Sequence, residues 1–272
     1  MTPPFSQAMQ YVLVAFVSAL FLYPLYILFL ISFSPVQFTL GSPQPLQWPG
    51  GFTLQNLVQA IQGTNLVDPT IRSLATASLV GGITLLVGIP AAYGLSKLPN
   101  NVSNMISALL FLVNMIPALV IAIPISVSFI TLHLYNTILG LALAQGLIAL
   151  PFTIFLLLGA FQSLPKDLEN QARVDGAGML RTLYTLLVPL AKSAVAAAFL
   201  ISWMLSWDEF TFAVILSPIN PTLPIIIFTN ITRGNILASS AFALVLTLPV
   251  VILTIMLQRY LRGEYLSGGL HG

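Results

Sequence analysis

Long apolar runs separated by short polar stretches set the pattern of this 272-residue chain. A membrane-crossing helix needs about 20 mostly apolar residues. Six segments reach that length, approximately residues 10–33, 73–95, 105–132, 137–161, 186–216 and 238–261. The fifth is long enough to tilt or break. The pattern predicts an all-α polytopic membrane protein, with six transmembrane helices in a single domain over residues 1–272. Of the connections, residues 34–72 are long and rich in Pro and Gly before Thr53. Residues 97–104 are short and polar, and Tyr135–Asn136 mark a tight turn. Residues 162–184 carry a dense cluster of charge, and residues 217–237 are rich in Pro, Asn and Thr.

Composition narrows the class. The chain is 57% hydrophobic and only 6% charged, against about a quarter charged in a soluble domain. No water-facing surface can be built from so few charges. There are no cysteines, which excludes disulfides, thiolate metal sites and cysteine nucleophiles. His133 and His271 have no second histidine at ligand spacing, so no metal site is expected. The net charge of +2, with scattered basic residues, gives no reason to expect a nucleic-acid partner. The first ten residues lack Lys and Arg, and the apolar run that follows is too long for a signal peptide. The first helix is therefore expected to be retained. Lys97, Lys166, Arg173, Arg181, Arg259 and Arg262 fall at one set of helix ends, against Arg72 and Arg233 at the other. The basic set is expected to be cytoplasmic. Both termini are then inside, residues 34–72 and 217–237 face outward, and Lys192 snorkels to the inner interface.

Pro24, Gly88, Pro90, Pro117, Pro124, Pro151 and Pro249 interrupt the spans. Each proline frees a backbone carbonyl that lipid cannot satisfy. Small residues recur four apart, as in Ala77/Gly81 and Ala194/Ala198, a spacing that lets helices approach closely.

The charged loop carries the sharpest signal. From Phe161 to Leu190 it reads FQSLPKDLENQARVDGAGMLRTLYTLLVPL. Ser163 is positioned to cap a helix with Pro165 in its first turn. Leu164, Leu168 and Ala172 then share one face, and Gly176 suits a left-handed C-terminal stop. A second helix restarts near Met179 and enters the fifth span. A short amphipathic helix of this kind either lies on the membrane or docks into a groove of a soluble partner.

This segment resembles the signature loop of the membrane subunits of bacterial and archaeal ABC importers. That pattern is Glu-Ala-Ala, two residues, Asp-Gly-Ala, a spacer, and an apolar-x-apolar-Pro ending. Asp175-Gly176-Ala177 match it, as do Ala172 and Leu186-Leu187-Val188-Pro189. Asn170 stands where the family has glutamate and Gln171 where it has the first alanine, while Glu169 lies one residue earlier. The carbohydrate-type subfamily, the second permease of maltose-like systems, is the nearest in pattern. Asn136-Thr137-Ile138-Leu139-Gly140-Leu141, Leu150-Pro151-Phe152 and Ala91-Ala92-Tyr93-Gly94-Leu95 are similar to its motifs. So are Trp207-Asp208-Glu209-Phe210, Gln258-Arg259-Tyr260 and the tail Gly268-Gly269-Leu270-His271-Gly272.

The resemblance implies a type I ABC importer permease fold with a cytoplasmic coupling helix. It implies a unit made with a second permease of different sequence, two ATPase subunits and an extracytoplasmic solute-binding protein, in a prokaryotic plasma (inner) membrane. The substrate would be a sugar, moved by alternating access. The chain has no Gly-x-x-x-x-Gly-Lys-Ser/Thr loop, so ATP and Mg are expected on the partner ATPases and no cofactor in this chain. Glu169, Asn170, Ala172, Asp175, Gly176, Ala177 and Pro189 are the expected ATPase-coupling residues. Asn114, Trp207, Asp208 and Glu209 are path candidates, with Trp207 able to stack on a sugar. The two acids, about 30 Å from Pro189 along a continuous helix, either line the path or its outer gate or fix the helix end. Asn114 either faces the path or bonds to a neighbouring helix. Pro218, Asn220, Pro221 and Pro224 are candidate contacts for the binding protein. A permease for a polyamine or glycerol-phosphate shares the loop and remains an alternative. An ion-coupled carrier would need a buried acid relay or broken midplane helices in matching halves, and an intramembrane enzyme a nucleophile and base within the spans.

Overall fold

The computed structural model describes residues 4–35, 51–63, 66–234 and 236–261. Every regular element among them is helical. In chain order these are α1 (Pro4–Phe33), α2 (Gln55–Gly63), α3 (Val67–Ser96), α4 (Asn100–Val113), α5 (Ala118–Thr131) and α6 (Ile138–Ser163). There follow α7 (Lys166–Val174), α8 (Met179–Leu190), α9 (Lys192–Trp207), α10 (Thr211–Leu216), α11 (Leu223–Thr232) and α12 (Ile236–Leu261). Contacts divide the chain into two compact units, Met1–Val67 with Ile226–Leu248, and Asp68–Ile225 with Pro249–Gly272.

In the first unit α1 is apolar along its length and exposed from Met9 to Leu25. Its far end is fastened to α2. Asn56 Nδ2 donates to the Ser34 carbonyl at 2.8 Å and to the Ile31 carbonyl at 3.3 Å. The Thr53 amide donates to the Phe33 carbonyl, and the Phe33 and Phe52 rings stack 4.9 Å apart. The long connection read from sequence thus contains a helix.

In the second unit α6 is the central element. Leu157 and Phe161 of α6 pack with Ile89, Ala92 and Tyr93 of α3, Leu183 and Leu187 of α8, and Ala194 and Ala198 of α9. Close approach at small residues makes this possible. A Cβ at Gly81 would fall 2.6 Å from the Phe199 ring, and one at Gly88 2.7 Å from the Thr153 methyl. The buried Thr153 and Ser202 hydroxyls bond at 3.3 Å across α6 and α9. Ala77, Ala194 and Ala198 are buried, so the four-residue small spacing marks packing, as expected.

The first, second, fourth and sixth expected segments are each one long apolar helix, and the third and fifth are each a bent pair of helices. The third, residues 105–132, breaks over Asn114–Pro117, where α4 and α5 meet at 81°. Pro117 excludes helical conformation from the residue before it and starts α5 with φ −54° and ψ 131°. The fifth, residues 186–216, breaks at Ala191, where α8 and α9 meet at 84°. Pro189 cannot donate to the preceding turn. The chain widens there into a π-turn over Leu183–Leu187, closed by the Val188 amide on the Leu183 carbonyl. α9 ends at Trp207, so Asp208 lies at the end of a 16-residue helix, about 24 Å long at 1.5 Å per residue. The continuous rod assumed for the 30 Å placement does not exist.

Candidate functional site

The amphipathic helix is present as α7. Ser163 does not cap it. Ser163 is the last residue of α6, and its hydroxyl donates back to the Ala160 carbonyl at 2.7 Å. α7 starts from Pro165 without a side-chain cap. Leu168 and Ala172 are half-buried on one face of α7 as the spacing required, whereas Leu164, also half-buried, is the extended residue that ends α6 and lies outside the helix. Asn170, Asp175 and Gly176 are exposed. The C-terminus is a Schellman motif. The Gly176 amide donates to the Arg173 carbonyl at 3.0 Å and the Ala177 amide to the Ala172 carbonyl at 2.9 Å. Gly176 has φ +79°, and a Cβ there would meet nothing within 4 Å. The Asp-Gly-Ala sequence is therefore a backbone device. Gly supplies the left-handed turn, and the Ala177 amide closes it on the Ala172 carbonyl. After it α8 restarts at Met179 and buries Leu183 and Leu187 against α6, while Pro189 stays exposed.

Glu169 does not project outward with Asn170. It pairs with Lys97, beyond the end of α3, and accepts a hydrogen bond from the Tyr93 hydroxyl at 3.3 Å. The Lys97 ammonium also lies 4.7 Å from the centre of the Tyr93 ring, close enough for a cation–π contact. Glu169 thus ties α7 to α3. Tyr93 and Lys97 lie outside the signature loop, so its motif does not point to them. The signal available was Lys97 as the sole cation of its short loop.

At the opposite end of the second unit, Asn136 is a hub. It has φ +60°, a conformation that asparagine tolerates better than most residues. Its amide donates to the Leu216 carbonyl at 2.8 Å, and its carbonyl accepts from Arg72 Nη2 at 2.7 Å. Its Oδ1 accepts from the Asn220 amide at 3.1 Å and the Ser217 hydroxyl at 3.4 Å. Thr137 next to it caps α6 through the Gly140 amide at 3.0 Å. A Cβ at Gly140 would lie 2.1 Å from the Leu134 carbonyl oxygen, so only glycine fits. The Asn-Thr-x-x-Gly motif is therefore a turn that grips the 217–220 segment. Pro218 and Asn220 are exposed, Pro221 is half-buried, and Pro224 sits in the first turn of α11.

Of the path candidates, Trp207 is 2% exposed and stacks on Trp203 at 4.9 Å between ring centres. It is packed inside the protein, not presented as a free stacking surface. Glu209 is a helix-end device. Its carboxylate accepts from the Phe212 amide at 3.0 Å and the Ala213 amide at 3.2 Å, which opens α10. Gln145 Nε2 donates to Glu209 at 3.1 Å, and the Ser206 hydroxyl donates to Gln145 Oε1 at 2.6 Å. Asp208 alone of the pair is exposed. Asn114 ends α4 at the break, and its Nδ2 is buried with no acceptor among the described residues. The interhelical bond offered as its alternative role is thus not seen. The tail Gly268–Gly272 and Arg262 lie outside the described residues.

An ion-coupled carrier, unlike an importer permease, would need an acid relay or midplane breaks in matching halves, whereas the half-buried Glu209 is committed to the start of α10. Comparison with known proteins decides between these classes. Residues 84–264 match the family described as binding-protein-dependent transport system inner membrane component. A putative ABC transporter permease of Streptomyces antibioticus is 30% identical over 220 residues, covering 79% of this chain and 96% of that one. The sulfoquinovosyl glycerol transport system permease of Agrobacterium fabrum is 30% identical over 236 residues, covering 84% and 82%. The trehalose/maltose transport system permease of Thermococcus litoralis is 27% identical over 261 residues, covering 92% of each. In fold, the chain superposes with a TM-score of 0.75 on a bacterial ABC transporter involved in import of the acidic polysaccharide alginate, at 20% identity over 94% of this chain and 96% of that one. The chain belongs to the family of inner-membrane components of binding-protein-dependent transport systems, the multi-pass permease subunits of ABC importers.

Proposed function

We propose that this permease forms part of the translocation path for a mono- or oligosaccharide, driven by ATPase subunits that dock on α7. The observation that carries the docking is the build of α7. It is a nine-residue helix closed by the Schellman turn at Gly176 and tied to α3 through Glu169 and Lys97. A force applied to its exposed face reaches the spans through that tie and through α8. The sugar assignment rests on relatives named for sulfoquinovosyl glycerol, for melibiose, raffinose and stachyose, and for trehalose and maltose.

The working unit has a second, different permease, two ATPases that hold ATP and Mg, and an external binding protein that meets the 217–224 segment. This chain hydrolyses nothing itself. Both termini are cytoplasmic in this reading, which the lysine and arginine bias supports. Asn114 and Asp208 are its path-facing polar groups. Asn170, Asp175 and Ala177 lie at the ATPase surface. ATP binding draws the ATPases together, α7 follows, and the path opens outward. Hydrolysis returns it inward.

The test is reconstitution of the chain with its ATPase, permease and binding-protein partners in liposomes. ATP-dependent uptake of the sugar carried by the co-purified binding protein is expected. Uptake driven by an ion gradient, with no ATPase co-purifying, would overturn the reading.

A further inference from the structure

Two cavities adjoin at the foot of α4 and α6. One, of about 830 Å³, opens between α4, α6 and α9, with Phe111, Phe155, Leu156 and Leu158 among its mainly apolar walls. The other, of about 630 Å³, lies beside α7, is mainly polar, and takes in Lys97, Lys166, Glu169 and Arg173. Asn104 and Gln162 line both. Lys97 is matched by Glu169. That leaves Lys166 and Arg173 as two cations with no carboxylate partner among the described residues. A third observation comes from the apolar side. Ser107 lines that cavity, is only 8% exposed, and its Oγ meets no partner among the described residues. A buried hydroxyl without a partner is costly.

An apolar slot, a hydroxyl donor at its lower part and a pair of cations beyond it match the order of groups along a phospholipid. We propose that the composite cavity binds one anionic phospholipid. Its phosphate lies between Lys166 and Arg173, with Asn104 and Gln162 at the junction. The Ser107 hydroxyl turns from its buried position to donate to a glycerol ester oxygen, and an acyl chain runs along Phe111 and Phe155. A sugar has no group that would occupy the apolar slot. A free anion would leave both the slot and Ser107 unused. A zwitterionic lipid would set its own cation against Lys166 and Arg173. The two cations also belong to the end whose excess of basic residues points to the anionic cytoplasmic leaflet.

The experiment uses the full chain purified in an uncharged detergent, with dioleoyl phosphatidylglycerol or dioleoyl phosphatidylcholine titrated in. Retained lipid is read by native mass spectrometry. Wild type should retain phosphatidylglycerol over phosphatidylcholine by about tenfold, since basic residues near a membrane surface each add appreciably to anionic-lipid binding. Lys166→Gln with Arg173→Gln should bring the two near parity. Ser107→Leu, which fills the slot, should lower retention of both lipids. Glycerol phosphate, a headgroup without chains, should not displace the lipid. Equal retention of the two lipids by wild type, an unchanged preference in the double variant, or displacement by glycerol phosphate would each overturn the proposal. Should the double variant fail to fold, the wild-type preference, the glycerol phosphate competition and Ser107→Leu still decide.

Discussion

Lys97 and Glu169, 72 residues apart in sequence, form an ion pair that joins the end of α3 to the middle of α7. Lys97 is 36% exposed and Glu169 13%. A pair this open to solvent contributes about 1 kcal/mol or less to stability. Its importance lies in transmission. Glu169→Gln and Lys97→Met should therefore shift melting little, yet lower the sugar moved per ATP hydrolysed in the reconstituted transporter. An unaltered ratio of transport to hydrolysis in both variants would count against α7 acting through α3.

Gly176 closes α7 in a left-handed conformation with open space around it. Substitution there strains the backbone without a clash. Left-handed geometry costs an L-residue about 1–2 kcal/mol, and β-branching adds to it. Gly176→Ala should be mild. Gly176→Val should abolish ATPase co-assembly, or leave hydrolysis running without transport. Normal co-purification together with normal transport by the valine variant would refute docking at this turn.

Gly140 behaves oppositely, because its missing Cβ is filled by the Leu134 carbonyl. Backbone cannot give way as a flexible side chain can. Gly140→Ala should cost about 3 kcal/mol, the upper end of ordinary overpacking losses, and appear as a lower melting temperature in detergent. A melting curve identical to wild type would show that the turn relaxes.

Glu209 holds two backbone amides and Gln145. Glu209→Ala leaves these donors unpaired. Each unsatisfied buried donor costs about 1–3 kcal/mol, so the variant should be markedly destabilised. Glu209→Gln keeps one oxygen for the amides and should lose less. Equal stability of the two variants would mean that water replaces the carboxylate.

Asn136 offers its Oδ1 to the segment assigned to the binding protein. Asn136→Gly keeps the left-handed backbone but removes that acceptor, whereas Asn136→Asp keeps both. The glycine variant should need several-fold more binding protein to reach half-maximal stimulation of ATP hydrolysis, and the aspartate variant should respond as wild type. Identical titration curves for all three proteins would remove Asn136 from this role.

The number of apolar segments and the amphipathic face of α7 were legible because each depends on local composition and periodicity. The stop at Gly176 was legible for a related reason. A left-handed residue is a property of one residue's own backbone, and glycine announces it. Leu168 and Ala172 lie together because the helix repeat puts them there.

The sequence by itself determined the class, the long apolar segments, the Asp-Gly-Ala turn and the resemblance to an importer permease. Only the tertiary structure decided what each polar side chain does. Glu169 turns inward because Lys97 and Tyr93 wait there. Trp207 is packed on Trp203 rather than offered to a ligand. Glu209 opens a helix that exists only because α9 stops at Trp207. Pro117 and the length of the fifth segment marked where the chain could break, but the bends of 81° and 84° belong to the folded structure. Periodicity reports which face of a helix avoids water. Partners far apart in the chain meet only when whole helices have packed, and that packing is a property of the assembled bundle.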